Sequence, residues 1–356
     1  MTNDLLDLYS DYLISSFGAT TATGLAAVLD GKLSHDKITR FLAGPQHTSA
    51  DLWRIVKPHV RQVQSADGVL IIDDSIAEKP STDENDIICW HYDHAQDRMV
   101  KGINFLTAVY HSHDVALPVG FTLIAKTEYY TDKKTGKPKR RSPIGKNEYC
   151  RTMLQQAVLN QLPFRYVLTD VWFAAVDTMV FIKETLHKDF VLPLKSNRKV
   201  ALSVTDKDQG RFQRVDAVDI EPDTVREVYL DEVPFPLLLV KHVFTNEDGT
   251  TGVWYLVTSD TTLTAEGMTT IYHKRWRIEV YHKSLKQNAA LEKSPTRTVV
   301  TQTNHFVAAL CGYIKLEMLK VTTKRNHFAL KTGLYLRAVQ SAFAALRALQ
   351  PVRLVA

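Results

Sequence analysis

Two short β-branched runs, VLIID at 69–73 and RYVLTD at 165–170, each close on an aspartate, and this pair constrains the fold most. Apolar runs of that length that stop abruptly read as buried strands. INFLTAVYHS and LPVGFTLIA read as two further strands, with Asp114 in the turn between them. Helical periodicity follows in NEYCRTMLQQAVLNQL and FAAVDTMVFIKETLH, and DFVLPLK completes another strand. Strands alternating with helices predict an α/β domain built on a mixed sheet.

The flanks have a different texture. Residues 1–66 read as helices, with Leu5, Leu8, Tyr12 and Leu13, then Leu52, Ile55, Val56 and Val60, at helical spacing. LSHDKITRFLAG has Ser34 as N-cap and Gly44 as terminator, and presents His35, Lys37 and Arg40. A helical DNA-binding subdomain fits this pattern, and so does a purely structural one. Residues 199–263 are strand-rich: REVYLDEV, PLLLVKHVF and TGVWYLVTS alternate well, the last two separated by the turn NEDGTTG. From Thr264, an N-cap, one long helix is expected to carry IYHKRWRIEVYHKSLKQNAAL. A second runs from Asn304 through Leu319, and 326–356 reads as a helical tail. The expected division is a helical subdomain at 1–66, an α/β domain at 67–198 and 264–325, a β-rich insertion at 199–263 and the tail.

Composition excludes several classes. With 45% hydrophobic and 23% charged residues, the chain has the balance of a globular protein with a sizeable core. The start MTNDLLDLYSDYL lacks the basic and apolar regions of a signal peptide, and HFVAALCGYI is too short to span a bilayer. Cys89, Cys150 and Cys311 are too scattered for a disulfide framework, so a soluble cytoplasmic protein is expected. His91 and His94, with His111 and His113 downstream, lack the spacing of a zinc site. GxSxG, Walker and GxGxxG motifs are absent. The net charge of +5 is a mild surplus. It concentrates in KKTGKPKRR, where Lys133, Lys134, Lys137, Lys139, Arg140 and Arg141 occur without an acid and Gly136 and Pro138 exclude a helix. That run reads as a flexible basic loop, open to phosphate contacts or to plain solvation.

The acids carry the chemistry. Asp74 follows VLII and Asp170 follows YVLT, at the C-terminal ends of expected parallel strands where α/β sites form. Each can ligate a hard divalent cation such as Mg²⁺, or cap the turn that follows it. On the helix after the insertion, Tyr272, Arg275, Glu279 and Lys286 fall at offsets that share one face. Glu279 there can complete a metal site while Arg275 and Lys286 hold phosphates and Tyr272 donates a hydrogen bond. A solvated face with an Arg275–Glu279 pair is the alternative.

The spacing Y-x2-R-x3-E-x6-K, present as YHKRWRIEVYHKSLK, resembles the signature of bacterial insertion-sequence DDE transposases of the cut-and-paste branch. IIDDSIAEKP resembles their first-aspartate motif and VLTDVWFA their second. The similarity runs from about Asp67 to Leu319 and includes WHYDH, KGINFL and LEKSPTRT.

The resemblance implies a ribonuclease-H-like mixed sheet interrupted by the β-rich insertion. It implies Asp74, Asp170 and Glu279 as the catalytic, metal-binding triad, with Asp73 a rival that the Asp-Ser pair disfavours. Two Mg²⁺ ions, or Mn²⁺ as substitute, are then expected to support in-line displacement at phosphorus. The implied partners are double-stranded DNA, as terminal inverted repeats and target, and a second copy in a synaptic dimer at the bacterial nucleoid. Trp254, in a W-x4-S-acid context, matches a tryptophan that holds a flipped base in hairpin-forming relatives. Trp276 reads as helix packing. A nuclease without strand transfer and a silent DNA-binding derivative are the alternatives.

Overall fold

The computed structural model describes residues 2–93 and 96–349. The chain opens with helices α1 (Thr2–Ser15), α2 (Ala22–Val28), α3 (His35–Leu42) and α4 (Ser49–Val63). Strands β1 (Val69–Glu78), β2 (Ile88–Asp93), β3 (Arg98–Ser112), β4 (Val115–Leu123), β5 (Glu128–Thr131) and β6 (Pro138–Arg141) follow. Next come α5 (Lys146–Leu159), β7 (Tyr166–Thr169), α6 (Val176–Val180, continued as a π-helical turn to Thr185) and β8 (Asp189–Leu194). A strand-rich stretch holds β9 (Lys199–Ala201), α7 (Val204–Asp208), β10 (Gln213–Arg214), β11 (Val225–Leu230), β12 (Leu237–Thr245) and β13 (Thr251–Thr258). Helices α8 (Ala265–His273), α9 (Trp276–Gln287), α10 (Val299–Thr323) and α11 (His327–Leu349) close the described chain. None is long and apolar enough to cross a membrane.

The elements form two compact units, one made of Val56–Ile76 and Ile103–Val280, the other of Met1–Ile55, Ala77–Gly102 and Tyr281–Ala356. The first is built on a mixed sheet in the order β10-β9-β11-β12-β13-β8-β7-β1-β3, with β4 on β3. Its centre is parallel: Val69–Ile72 of β1 pair with Tyr166–Thr169 of β7, and β7 runs parallel to β8. These strands are solvent-free on both faces, which is why they read as unbroken apolar runs. A mixed sheet with helices at both chain ends is the ribonuclease-H-like architecture expected.

In the second unit α1 packs along α10, and the contact is specified by buried polar groups. Tyr9 Oη and His305 Nδ1 are 3.1 Å apart, while the Asn304 carboxamide accepts from His47 N (2.8 Å) and donates to the Leu42 carbonyl (2.9 Å). Full burial pushes the His305 imidazole down to about 3, so it stays neutral and bonds as an imidazole. The N-terminal helices thus share one core with α10, although the sequence division set 1–66 apart from 264–325, whereas α11 buries only His327 among its described residues. Residues 350–356 of the expected tail lie outside the described residues.

The strand-rich stretch 199–263 joins the central sheet, β13 pairing with β8 through Tyr255↔Leu194 to Thr258↔Val191. Three local expectations are corrected. β1 does not end at Asp73; it runs on to Glu78, because β3 continues beside it after β7 stops at Thr169. The basic run is a β-hairpin, not a flexible loop. β5 pairs with β6, and Asp132 Oδ1 accepts from the backbone N–H groups of Lys134 and Thr135, fixing a turn in which Gly136 takes φ +67°. The expected long helix is broken between α8 and α9 by bonds three residues apart, Arg275 N to Tyr272 O and Ile278 N to Arg275 O.

Candidate active site

Because β7 is shorter than β1, the β1 edge beyond Ile72 has no ladder partner on that side, and this opens the slot in which the acids gather. Asp73 and Asp74 are consecutive in an extended strand, so their side chains leave on opposite faces. Asp170 follows directly on β7, its Oδ1 capping the loop through the Trp172 N–H (2.9 Å). Glu279 comes from the first turn of α9.

Arg275 sits at the break between the two helices and ties these groups together. Its guanidinium donates to Glu279 Oε1 (2.9 Å) and lies 3.7 Å from Asp73 Oδ2. A carboxylate oxygen of Asp73 and one of Glu279 are within 4.8 Å of each other. Asp73 is held well above the usual carboxylate range by burial first, and then by repulsion from Asp170, Asp74 and Glu279. Asp170 is also raised, by burial and by Asp74, against the opposing pull of the Trp172 N–H and Arg275. Asp74 faces a different set: its Oδ2 accepts from Lys146 Nζ (2.6 Å) and from Asn104 Nδ2 (2.8 Å).

Tyr272 anchors the end of α8 by donating to the Thr169 carbonyl at 3.3 Å, one residue before Asp170. Burial pushes its phenol up to about 12, so it remains a donor at neutral pH. Arg275 lies over its ring at 5.7 Å, and Trp254 tilts against it at 5.4 Å. Behind Trp254 the His242 ring stacks at 4.8 Å, itself held by Asp223 (2.5 Å) and Thr269 (2.7 Å). Trp254, Tyr272, His273, Arg275 and Trp276 line a cleft of about 400 Å³. Trp276 is therefore not helix packing: it is 65% exposed and forms part of the cleft wall.

Of the residues expected from sequence, the structure brings Asp170, Glu279, Tyr272, Arg275 and Trp254 together, with Asp73 on the Glu279 side and Asp74 beside Lys146. Lys286 belongs to the other unit, where its Nζ is 3.6 Å from Glu292 Oε1. Lys133, Lys134, Lys137, Lys139, Arg140 and Arg141 are on the β5–β6 hairpin. Sequence reasoning missed Asn104 and Lys146, although KGINFL had marked the first. His91, His111 and His113 join no cluster of metal ligands among the described residues, and His94 lies outside them.

Clustered carboxylates of this kind repel one another unless cations balance them, and hard oxygen donors suit Mg²⁺ or a similar divalent ion. The sheet and its acids define a metal-dependent nuclease of the ribonuclease-H-like class. The chain matches the model of the DDE superfamily endonucleases over residues 2–229, more than half its length, and belongs to that family. Nucleases of this family work with divalent metals on DNA. No curated protein matches the chain. The matched segment contains Asp73, Asp74 and Asp170 but ends before Glu279.

Proposed function

We propose that this endonuclease is a transposase of the insertion-sequence type, cutting at element ends and joining the 3′ ends to target DNA. The observation that carries the reading is the convergence of Glu279 and Arg275, at the α8–α9 break, on the acids of β1 and β7, with Trp254 and Trp276 in the adjoining cleft. A nuclease needs the acids. The aromatic cleft beside Arg275 suits a base that leaves the stack.

Asp170, Glu279 and the Asp73–Asp74 pair would hold two divalent ions, Mg²⁺ or Mn²⁺. Asp73 provides oxygens on the Glu279 side and Asp74 on the Lys146 side. Such ions activate the attacking water or 3′-hydroxyl and stabilise the leaving oxygen. Arg275 offsets the repulsion between Glu279 and Asp73 before DNA binds and then offers its guanidinium to a phosphate. Tyr272 fixes that guanidinium by lying beneath it and by bonding Thr169. Trp254, backed by His242, supplies a face for an unstacked base, which offsets a cost of a few kcal/mol. The β5–β6 hairpin contributes phosphate contacts.

Incubation with DNA carrying the flanking element ends and Mg²⁺ or Mn²⁺ tests the reading, with nicks, hairpins and joined products resolved. Wild-type protein is expected to join a pre-cut end to target DNA. Asp170→Ala and Glu279→Ala should bind ends and cut nothing, and Asp73→Ala and Asp74→Ala show which member of the pair is required. Nicking without joining would reduce the protein to a nuclease.

A further inference from the structure

Asn104 lies on β3 beside the acid-bearing stretch of β1 and is only 2% exposed. Its backbone is committed to the sheet: its carbonyl accepts from Ile124 N at 2.9 Å. Its carboxamide is half used. Nδ2 donates to Asp74 Oδ2 at 2.8 Å, whereas Oδ1 is buried without a hydrogen-bond partner. A buried acceptor left unpaired costs about 1–3 kcal/mol, so a leucine, which has the same branched shape, would suit a purely structural position better. An oxygen of this kind beside a carboxylate is a natural acceptor for a hydrated cation, since hard ions gather carbonyl and carboxylate oxygens and keep water. On the far side of the same Asp74 oxygen stands Lys146 Nζ, at 2.6 Å, on a half-exposed side chain at the start of α5.

We propose that Asn104 is a positioning residue of the cation site. Nδ2 aims Asp74, Oδ1 is the acceptor kept for the cation or a water held with it, and Lys146 is the charge that the cation displaces from Asp74. The proposal rests on the metal-dependent reading above. It gives the two neighbours of Asp74 opposite signs: Asn104 favours the cation and Lys146 competes with it. Once displaced, the ammonium is free to meet a phosphate.

The test is Mn²⁺ titration of the full metal-free chain by calorimetry, with Glu279→Ala defining the site, and thermal melting in EDTA alongside. Asn104→Leu should weaken Mn²⁺ about tenfold or more, the usual loss when an orienting partner is removed. Its metal-free melting temperature should be unchanged or higher, because the orphaned carbonyl is gone. Lys146→Met, at a half-exposed position, should tighten Mn²⁺ by up to about fivefold, the worth of such an ion pair. Mn²⁺ affinity within twofold of wild type in Asn104→Leu, or weakened in Lys146→Met, overturns the proposal. Wild-type protein with no Glu279-dependent Mn²⁺ binding overturns the metal reading itself and the proposal with it.

Discussion

Five of the six cations of the β5–β6 hairpin fall into two groups with different expected effects on DNA binding. Lys139 pairs with Asp132 at 2.7 Å, and Arg141 pairs with Glu128 at 2.9 Å while lying over Tyr130. Lys133, Lys134 and Lys137 are exposed at the tip and form no ion pair among the described residues. A free ammonium that meets a phosphate releases a condensed counterion, and each such contact adds about 0.9 to the slope of log K against log salt. Replacing the three tip lysines by glutamine should therefore flatten that slope by up to about 2.7. Between 50 and 200 mM salt, wild-type affinity should then fall about 40-fold more than that of the triple variant. Fluorescence anisotropy on a labelled duplex across that salt range measures both. Lys139→Gln and Arg141→Gln should each move the slope less, since their charges already face acids. An unaltered slope in the triple variant refutes phosphate contact by the tip. A slope change in Lys139→Gln as large as in the triple variant refutes the division into paired and free cations.

Two further outcomes follow from the acid cluster and the cleft. Asp73 and Asp170 have values above their ordinary 3.8 in the folded chain, so they retain protons that the unfolded chain has lost. Their contribution is complete below about pH 4 and is lost as pH rises through the folded-state values. In EDTA, wild-type protein should lose more stability than Asp73→Asn as pH rises above about 4, by urea denaturation; parallel losses would disprove the shift at Asp73. Trp254→Ala should slow hairpin formation or resolution more than first-strand nicking in a gel assay, and an unchanged product pattern removes the base-stacking role.

The central strands were legible because burial on both faces leaves no choice but an unbroken apolar run, and Asp170 was legible as the residue on which such a run stops. The Asp73–Asp74 stretch was harder. Aspartate is a poor strand former, so the sequence suggested an end where β3 in fact keeps β1 extended. The break between α8 and α9 leaves no mark in YHKRWRIE, which has neither Gly nor Pro; only tertiary packing tightens the turn at Arg275. That break is what turns Arg275 toward Asp73 and leaves Trp276 in the cleft; Tyr272, Arg275 and Glu279 meet through it rather than along one continuous helical face, and Lys286 falls in the other unit. The hairpin was hidden by its own charge, since cations and a proline obscure the pairing of Glu128–Thr131 with Pro138–Arg141. Asn104 was marked only by its place in KGINFL, because an uncharged side chain inside an apolar strand shows no pattern of its own.

The arrangement around β1 explains why two adjacent acids are useful. Alternation sends Asp73 toward Arg275 and Asp74 toward Lys146, so each consecutive carboxylate meets its own cation, one at the α8–α9 break and one at the start of α5. Asp170 and Glu279 join the same site, giving four acids against two cations, and a formal deficit of two positive charges remains when all are ionised. Burial and the neighbouring acids favour a proton on Asp73, which reduces that deficit. A divalent cation matches it without that proton, so metal affinity should rise with pH as Asp73 gives the proton up. Arg275 and Lys146 would then be the groups whose release from the acids makes them available to DNA phosphates, which would couple the arrival of metal to the grip on substrate.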